Sequence, residues 1–266
     1  MQAPGDRDPA AAIELVRVAK EFGSTRVLDG VDLSVAAGAI TALIGPSGAG
    51  KTVTLKHVLG LLEPSERVVK VEGRDLAAVS EEQQNELRRR MGVVLQGTLP
   101  FTCGLFYSLD VFENVAFPLR DRTRWPPEQI EQVALEYLGM VGLREHAHHM
   151  PSQLSAGMTK RVALARALAL EPEILIIDDF DSGIDGVRLS LTCRLIEDLQ
   201  RESGTTVLLT THHMESARRL ADHAAVIHEG RIVASGVADV VFGSEEPLVR
   251  QLVAGDTSGP LRLQSS

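Results

Sequence analysis

The stretch Ile40-Thr41-Ala42-Leu43-Ile44-Gly45-Pro46-Ser47-Gly48-Ala49-Gly50-Lys51-Thr52 decides the fold of this chain. Its first five residues are apolar or β-branched and predict a short buried strand. The eight that follow are rich in glycine and predict a tight turn. Beyond them, apolar residues recur every three or four positions and predict a helix, at Leu55, Val58, Leu59 and Leu62. The stretch is therefore a strand, a glycine-rich loop and a helix in direct succession.

The loop has the spacing G-x-x-x-x-G-K-[ST] of a phosphate-binding P-loop. Glycine lets the backbone curl so that successive N–H groups point at phosphate oxygens, and the helix dipole adds positive potential. Lys51 would supply a charge for the β- and γ-phosphates, and Thr52 a hydroxyl ligand for Mg²⁺. The alternative is a glycine-rich turn that binds nothing, but the strand and helix around it favour phosphate. We expect a nucleoside triphosphate to be bound by Gly45, Pro46, Ser47, Gly48, Ala49, Gly50, Lys51, Thr52 and Thr54.

Composition limits the classes of function that remain. A chain of 266 residues suits one large α/β domain or two small ones. With a formal net charge of −9, the chain lacks the general excess of basic residues that is typical of a nucleic-acid-binding protein. The two cysteines, Cys103 and Cys193, form no C-x-x-C pair, which is typical of a reduced cytosolic setting.

The sequence also bears on membrane association. It contains no uncharged apolar run of about 18 residues, so no transmembrane helix is expected. Residues 1–12 are rich in Pro, Ala, Gly and Asp and are expected to be a disordered lead-in without a signal-peptide core. If the protein works at a membrane, it must do so through a partner.

Strands and helices alternate along the chain. Strands are predicted at residues 13–18, 27–35, 40–44, 68–71, 91–95, 174–177, 207–212, 224–228 and 231–234. Helices are predicted after residue 52 and at residues 80–90, 127–139, 156–170, 189–201 and 215–222, while residues 97–126 are expected to be loop-rich. This order predicts an α/β fold with a mostly parallel sheet and right-handed crossovers.

Three consecutive arginines, Arg88-Arg89-Arg90, close the helix that Ser80 begins in a capping box with Gln83. They permit a nucleic-acid interpretation. A helix C-terminus that favours cations explains them more simply, since no aromatic platform accompanies them.

Polar residues follow directly after several apolar strands. Ligands bind beyond the carboxyl ends of parallel strands, so these residues can converge on one nucleotide with the P-loop. Asp178 would hold Mg²⁺, and Asp179 would orient or deprotonate the attacking water. Gln96 could ligate Mg²⁺ or water, and His212 could contact the γ-phosphate. Each could singly be an ordinary strand-end polar group, but the set together favours a catalytic site.

Together with Leu154-Ser155-Ala156-Gly157-Met158, these residues resemble the ATP-binding subunit of an ABC transporter. The family has a Walker A, Q-loop, signature, Walker B, D-loop and switch histidine in this order. Here they would be Gly45–Thr52, Gln96, Leu154–Met158, Ile174–Asp179, Ser182–Asp185 and His212. The resemblance implies a P-loop NTPase with a RecA-like parallel-sheet core, a small antiparallel β subdomain and a helical signature subdomain. The ATPase domain would span residues 13–240, with the helical subdomain at about 98–170 and a C-terminal extension at 241–266.

The resemblance also implies a dimer with shared sites. Two ATPase subunits, which we expect to be identical, would enclose two ATP molecules head to tail. Ser155 and Gly157 would then meet the γ-phosphate bound on the other subunit's P-loop, and Asp185 of the D-loop would also contribute to nucleotide binding. Phe22 falls where the family stacks an aromatic on adenine, although it could equally be an ordinary apolar residue at a turn.

A narrower resemblance, to the lipid-transporting Mce/Mla subfamily, rests on residues 105–119, Met158, Asp181–Asp185 and 246–252. It implies a multi-pass permease, Mce-domain proteins as indirect partners, and phospholipids, fatty acids or sterols as cargo. The chain would act at the cytoplasmic face of the inner membrane, and its C-terminal tail could contact the partner ATPase subunit.

The sequence departs from the family pattern in several places. Asp179 stands where the family has glutamate, Phe180 replaces proline, and Ala156 replaces the first signature glycine. The carboxylate of Asp179 would lie about 1–1.5 Å farther from the water, and a misplacement near 1 Å can cost about a hundredfold in rate. We therefore hypothesise that ATP binding and dimer closure persist while hydrolysis is slow. The loop between Gln96 and Leu105 also exceeds the subfamily's usual length.

Three functions are compatible with the sequence. The chain could hydrolyse ATP to drive lipid transport, or act as an ATP-gated dimerising switch with little hydrolysis. A non-transport ABC protein of DNA repair or translation is the third. The single ATPase unit and the acidic charge count against this third possibility.

Overall fold

The computed structural model describes residues 11–95, 104–255 and 259–261. Within them the chain forms ten strands: β1 (Ala11–Phe22), β2 (Thr25–Ala36), β3 (Ile40–Ile44), β4 (Glu66–Val71), β5 (Arg74–Asp75), β6 (Met91–Val94), β7 (Ile174–Ile177), β8 (Thr206–Thr211), β9 (His223–His228) and β10 (Arg231–Val237).

The same residues form nine α-helices: α1 (Lys51–Val58), α2 (Glu81–Arg89), α3 (Val111–Arg122), α4 (Pro127–Met140), α5 (Ala156–Leu168), α6 (Gly186–Ser203), α7 (Met214–Leu220), α8 (Ala238–Phe242) and α9 (Pro247–Ala254). Two short 3-10 helices, Arg144–His146 and Pro151–Gln153, lie between α4 and α5. In the part of the chain described, no helix has the length and apolar character needed to cross a membrane.

The strands form two sheets. Four of them make an antiparallel sheet in the order β2-β1-β4-β5, and six make a second sheet in the order β10-β9-β3-β8-β7-β6. In the six-stranded sheet every neighbouring pair is parallel except the edge pair of β9 and β10. This confirms the predicted α/β fold, with its parallel core and its small antiparallel subdomain.

Apolar clusters with other elements cover both faces of the six-stranded sheet. Successive side chains of a strand point to opposite faces. Leu175 and Ile177 accordingly join an apolar cluster with α3, α4, α5 and α6, while Ile174 and Ile176 join a second cluster with the antiparallel sheet and α1. The sheet is therefore the middle layer of the molecule, which explains why its strands lack polar alternation.

One predicted loop is partly a helix. Residues 97–126 were expected to be loop-rich, but α3 occupies Val111–Arg122. Asp110 caps this helix by accepting a hydrogen bond from the N–H of Glu113 at 2.7 Å. Pro118 lies inside it, and a proline within an apolar pattern argues against a helix. Packing of the buried face of α3 on α4 and α5 outweighs that local cost.

The ends of several elements also differ from the predictions. The helix expected at 156–170 ends at Leu168, and the one expected at 189–201 is longer, because Asp185 caps it and Gly204 ends it. The two N-terminal strands extend to Phe22 and Ala36. In the C-terminal segment 241–266, α9 buries Val249 and Val253 in the same apolar cluster as the sheet.

Candidate nucleotide site

The P-loop connects β3 to α1. Gly48 and Gly50 have φ values of 80° and 108°, which L side chains rarely adopt. A Cβ on Gly45 would lie 2.2 Å from the carbonyl oxygen of Ile227, and one on Gly50 would lie 2.6 Å from Cδ2 of Leu28. The sharp turn and the close neighbouring strands therefore require glycine at both fixed positions of the motif.

A cavity of about 310 Å³ opens above this loop. It brings together the P-loop with residues that follow β7 and β8. Its lining residues are Val27, Ser47, Gly48, Gly50, Lys51, Thr52, Val53, Asp178, Asp179 and His212. Residues that are remote in sequence thus converge at one edge of the sheet, as the order of the strands requires.

Lys51 lies over the loop that precedes it. Its Nζ donates to the carbonyl oxygens of Gly45 at 2.7 Å and Pro46 at 3.0 Å. Burial lowers the pKa of Lys51, and the nearby carboxylates of Asp179 and Asp178 act in the opposite direction. An ammonium group that is partly desolvated and donates to carbonyls of its own loop is well placed to pair with phosphate oxygens.

Asp178 is 1% exposed and is held from two sides. Its Oδ2 accepts from the hydroxyl of Thr52 at 2.7 Å, and its Oδ1 accepts from the hydroxyl of Thr210 at 2.6 Å. A carboxylate and a hydroxyl in contact at the cavity wall are the oxygen donors that Mg²⁺ prefers. This pair therefore fits a magnesium ion bridging the chain and a nucleotide.

Asp179 is fixed through its backbone. Its φ is 53°, a left-handed conformation that aspartate tolerates better than most residues. Its N–H donates to the hydroxyl of Thr210 at 2.7 Å, and its carbonyl accepts from Nζ of Lys160. Its Oδ1 lies 3.0 Å from Nδ1 of His212. The carboxylate and the imidazole thus form a pair at the cavity edge, suited to orienting a water molecule.

Several predicted residues lie elsewhere. Thr54 is fully buried, and its hydroxyl donates to the carbonyl of Gly50 at 3.0 Å, so it supports the turn instead of facing the cavity. Phe22 does not line the cavity; it is 46% exposed, and Nζ of Lys20 lies 5.5 Å from its ring centre. Gln96 lies outside the described residues.

The signature segment forms a second surface, apart from this cavity. Ser155 caps α5 by accepting from the N–H of Met158 at 3.3 Å, and Asp185 caps α6 by accepting from the N–H of Arg188 at 3.1 Å. The backbone hydrogen bond from Arg188 is also the main reason why the pKa of Asp185 is lowered. A Cβ on Gly157 would lie 2.6 Å from the carbonyl oxygen of Gly183. The start of α5 is thus packed against the loop after β7.

Two residues that hold the site escaped sequence reasoning. Thr210 bonds both Asp178 and Asp179, and Lys160 donates to the carbonyls of Asp179 and Ser182. The sequence shows Thr210 as a polar residue near the end of an apolar strand, but it does not show that β8 lies beside the strand that carries the carboxylates. Lys160 carried no local signal, because its partners are backbone carbonyls of another segment.

The parallel sheet carries a phosphate-binding loop at the end of one strand. One carboxylate is hydrogen-bonded to the threonine of that loop, and a second carboxylate lies beside a histidine. These features together define a P-loop ATPase. Comparison with known families narrows this class. The model of the ABC transporter family matches residues 28–182. The chain belongs to the ABC transporter family, and it is an ATP-binding ATPase of that family.

Named relatives match along most of the chain. It is 35% identical over 252 residues to the intermembrane phospholipid transport ATP-binding protein MlaF of Haemophilus influenzae, covering 95% of this chain and 94% of the relative. It is 37% identical over 250 residues to the probable ribonucleotide transport ATP-binding protein mkl of Mycobacterium leprae, covering 94% of this chain and 71% of the relative.

A solved structure is similar over most of this chain. A dimeric ATP-binding cassette in a post-hydrolysis state, bound to ADP and Pi, superposes with a TM-score of 0.78 at 30% identity. The superposition covers 85% of this chain and 98% of that one.

Proposed function

We propose that this chain is the ATP-hydrolysing subunit of a membrane transporter for lipids of the phospholipid class. The observation that supports this most is the match, over almost the whole length of both chains, to a protein named for intermembrane phospholipid transport. The similarity to an ATP-binding protein of a phospholipid transport system supports a place at the cytoplasmic face of an inner membrane, where a partner would supply the membrane path.

Each group of the cavity has a task in this proposal. Backbone N–H groups of the P-loop and Nζ of Lys51 bind the phosphates of ATP. Thr52 and Asp178 would hold Mg²⁺, which would neutralise charge on the β- and γ-phosphates. Asp179, with His212 at 3.0 Å, orients the attacking water and accepts its proton.

The exposed start of α5 supports a dimer with shared sites. Ser155 and Ala156, at the N-terminus of α5, are exposed and do not line the chain's own cavity. The N–H groups at a helix N-terminus favour anions. In the proposed homodimer this helix start faces the γ-phosphate bound by the other chain, so that both cavities close together.

A groove on another face supports a permease partner. It has a volume of about 370 Å³ and is lined by residues of α2, β6, α3 and α5 and of the segment that follows α1. Leu61, Phe106 and Phe117 are 54%, 46% and 46% exposed at its rim, and the two phenylalanine rings lie 5.2 Å apart. Exposed apolar clusters of this kind mark interaction sites.

The charges of the groove indicate what it binds. Arg88, Arg122 and Arg166 contribute to its lining. We propose that it receives a short cytoplasmic helix of the permease, with an apolar face for the two rings and an acidic residue for the guanidinium groups. An Mce-domain protein would contact the permease and not this chain.

The identity of the transported molecule is tested on the whole transporter. The tagged chain is isolated in mild detergent from its own host with its membrane partners, and bound lipids are quantified by mass spectrometry. We expect phospholipid enriched over the membrane average, and MgATP turnover that phospholipid stimulates. The variant Phe117→Asp should lose both the partners and the lipid.

Ribonucleotide transport is the second candidate, because of the name of the mycobacterial relatives. Turnover that ribonucleosides stimulate and phospholipids leave unchanged would favour it over the lipid proposal. An ATP-gated switch without transport would give ATP-dependent dimers with no cargo-stimulated turnover.

A further inference from the structure

Three potential metal ligands lie together beside the nucleotide cavity. They are Asp181, His212 and His213, whose carboxylate oxygen and imidazole nitrogens all lie within 4.8 Å of one another. The two imidazole ring centres are 4.2 Å apart with an interplanar angle of 39°. Asp181 follows β7 and the histidines follow β8, two neighbouring parallel strands, so the fold itself places them at one edge.

The carboxylate of Asp181 has an unused oxygen. Asp181 is 3% exposed, and its Oδ2 accepts a hydrogen bond from the hydroxyl of Thr211. Its Oδ1 is buried without a hydrogen-bond partner among the described residues. A buried, half-satisfied carboxylate carries a large desolvation cost. A cation bound between it and the two imidazoles would compensate that cost.

We propose that Asp181, His212 and His213 form a binding site for a divalent transition-metal ion of the zinc class, and that this ion inhibits ATP hydrolysis. Imidazole suits zinc, copper, iron and nickel, whereas magnesium and calcium take oxygen ligands. Two imidazoles and one carboxylate leave a fourth position for water, as in tetrahedral sites with three protein ligands. The inference goes beyond the proposed function, which assigns no metal to these three side chains.

The geometry allows the site to close around an ion. Ligand atoms about 2 Å from zinc in a tetrahedron lie about 3.3 Å apart. The observed separations, within 4.8 Å, must therefore shrink by about 1.5 Å at most. Both histidines are exposed and can turn, while the buried Asp181 provides a fixed anchor.

Inhibition follows because one ligand is shared with the nucleotide site. His212 lines the cavity, and its Nδ1 contacts Asp179 at 3.0 Å. A metal ion would tie His212 to Asp181 and to the neighbouring imidazole. The histidine would then no longer be free to turn toward a bound γ-phosphate, and hydrolysis would stop while MgATP still bound to the P-loop.

The first arm of the test measures binding. Zinc chloride is titrated calorimetrically into the full chain without nucleotide, for wild type, His213→Ala and the control His228→Ala. His213 is exposed and outside the proposed ATPase machinery, so its loss should leave the fold intact. We expect one zinc site whose affinity falls at least tenfold in His213→Ala and is unchanged in His228→Ala. Equal zinc affinity in wild type and His213→Ala would overturn the site.

The second arm measures MgATP turnover at free zinc concentrations set by a metal buffer. We expect zinc to inhibit the wild type, and His213→Ala to keep its basal turnover while needing at least tenfold more free zinc for half-inhibition. Zinc that binds through His213 but leaves turnover unchanged would overturn the inhibitory role. Absence of any basal turnover would contradict the proposed function instead, and the calorimetric arm would still decide the metal site.

Discussion

At the scale of single residues, Thr210 determines how the two carboxylates of the site are held. Its buried hydroxyl donates to Oδ1 of Asp178 and accepts from the N–H of Asp179. One side chain therefore fixes both Asp178, the proposed magnesium ligand, and Asp179, whose backbone is left-handed. It acts through these neighbours and so is a positioning residue.

The substitution Thr210→Val tests this positioning role. It keeps the shape but leaves a buried acceptor and a buried donor unpaired, which costs about 1–3 kcal/mol per group. We expect a lower free energy of unfolding in denaturant titrations, and a kcat at least tenfold lower with KM for ATP nearly unchanged.

Thr41→Val is the matched control. Thr41 is 1% exposed in the same sheet, and its Oγ1 lacks a hydrogen-bond partner among the described residues. Valine there should be neutral or stabilising and leave kcat unchanged. If both variants behave alike, the hydrogen bonds of Thr210 do not position the carboxylates.

The side-chain length of Asp179 is expected to limit the rate of ATP hydrolysis. Its backbone is held by Thr210 and Lys160, so a shorter side chain cannot be offset by moving the loop. Asp179→Glu should extend the carboxylate by about 1–1.5 Å and raise turnover, by as much as a hundredfold if placement limits the rate. Asp179→Asn, which lacks the base, should abolish it. Unchanged or lower turnover in Asp179→Glu would show that aspartate is already well placed.

At the scale of elements, α3 and the loop before it depend on Asn114. This fully buried side chain donates to the carbonyls of Phe106, Leu109 and Asp110 and accepts from the N–H of Phe106 at 2.7 Å. It closes residues 106–110 over the start of the helix and places Phe106 beside the groove.

The variant Asn114→Ala should unpair these backbone groups. We expect a loss of about 2 kcal/mol or more, which corresponds to a fall in Tm of about 4–8 °C for a domain of this size. Differential scanning calorimetry measures it. Asp121→Ala, on the exposed end of the same helix, should leave Tm within about 1 °C. A similar Tm for both variants would contradict this role of Asn114.

The start of α5 and the loop after β7 form a second coupled pair of elements. A Cβ at residue 157 would clash with the carbonyl of Gly183. Gly157→Ala should therefore displace the helix start, prevent ATP-dependent dimers in light scattering, and lower turnover at least tenfold. Ala156→Gly is the control at an exposed neighbouring position and should keep both properties. Normal dimers in Gly157→Ala would contradict the proposed role of this surface.

At the scale of the whole molecule, the parallel core and the convergence of the P-loop, Asp178, Asp179 and His212 were predictable. Apolar strands that end in polar residues report directly on a sheet buried on both faces. Contacts between segments were not predictable, such as Thr210 with both carboxylates.

Helix α3 was missed because Pro118 opposes a helix locally, while packing that favours it arises only in the folded chain. The departure at Phe180 also has a tertiary reason: the ring is 2% exposed, and its N–H donates to the carbonyl of Thr210 at 3.2 Å.

The most direct test of this account is steady-state phosphate release from MgATP by the purified full-length chain and its Lys51→Ala variant. The ammonium of Lys51 lies at the cavity and is positioned by the carbonyls of Gly45 and Pro46. We expect turnover in the wild type and none above background in Lys51→Ala, with unchanged circular dichroism. Equal phosphate release by the two proteins would contradict the assignment of this cavity as the ATPase site.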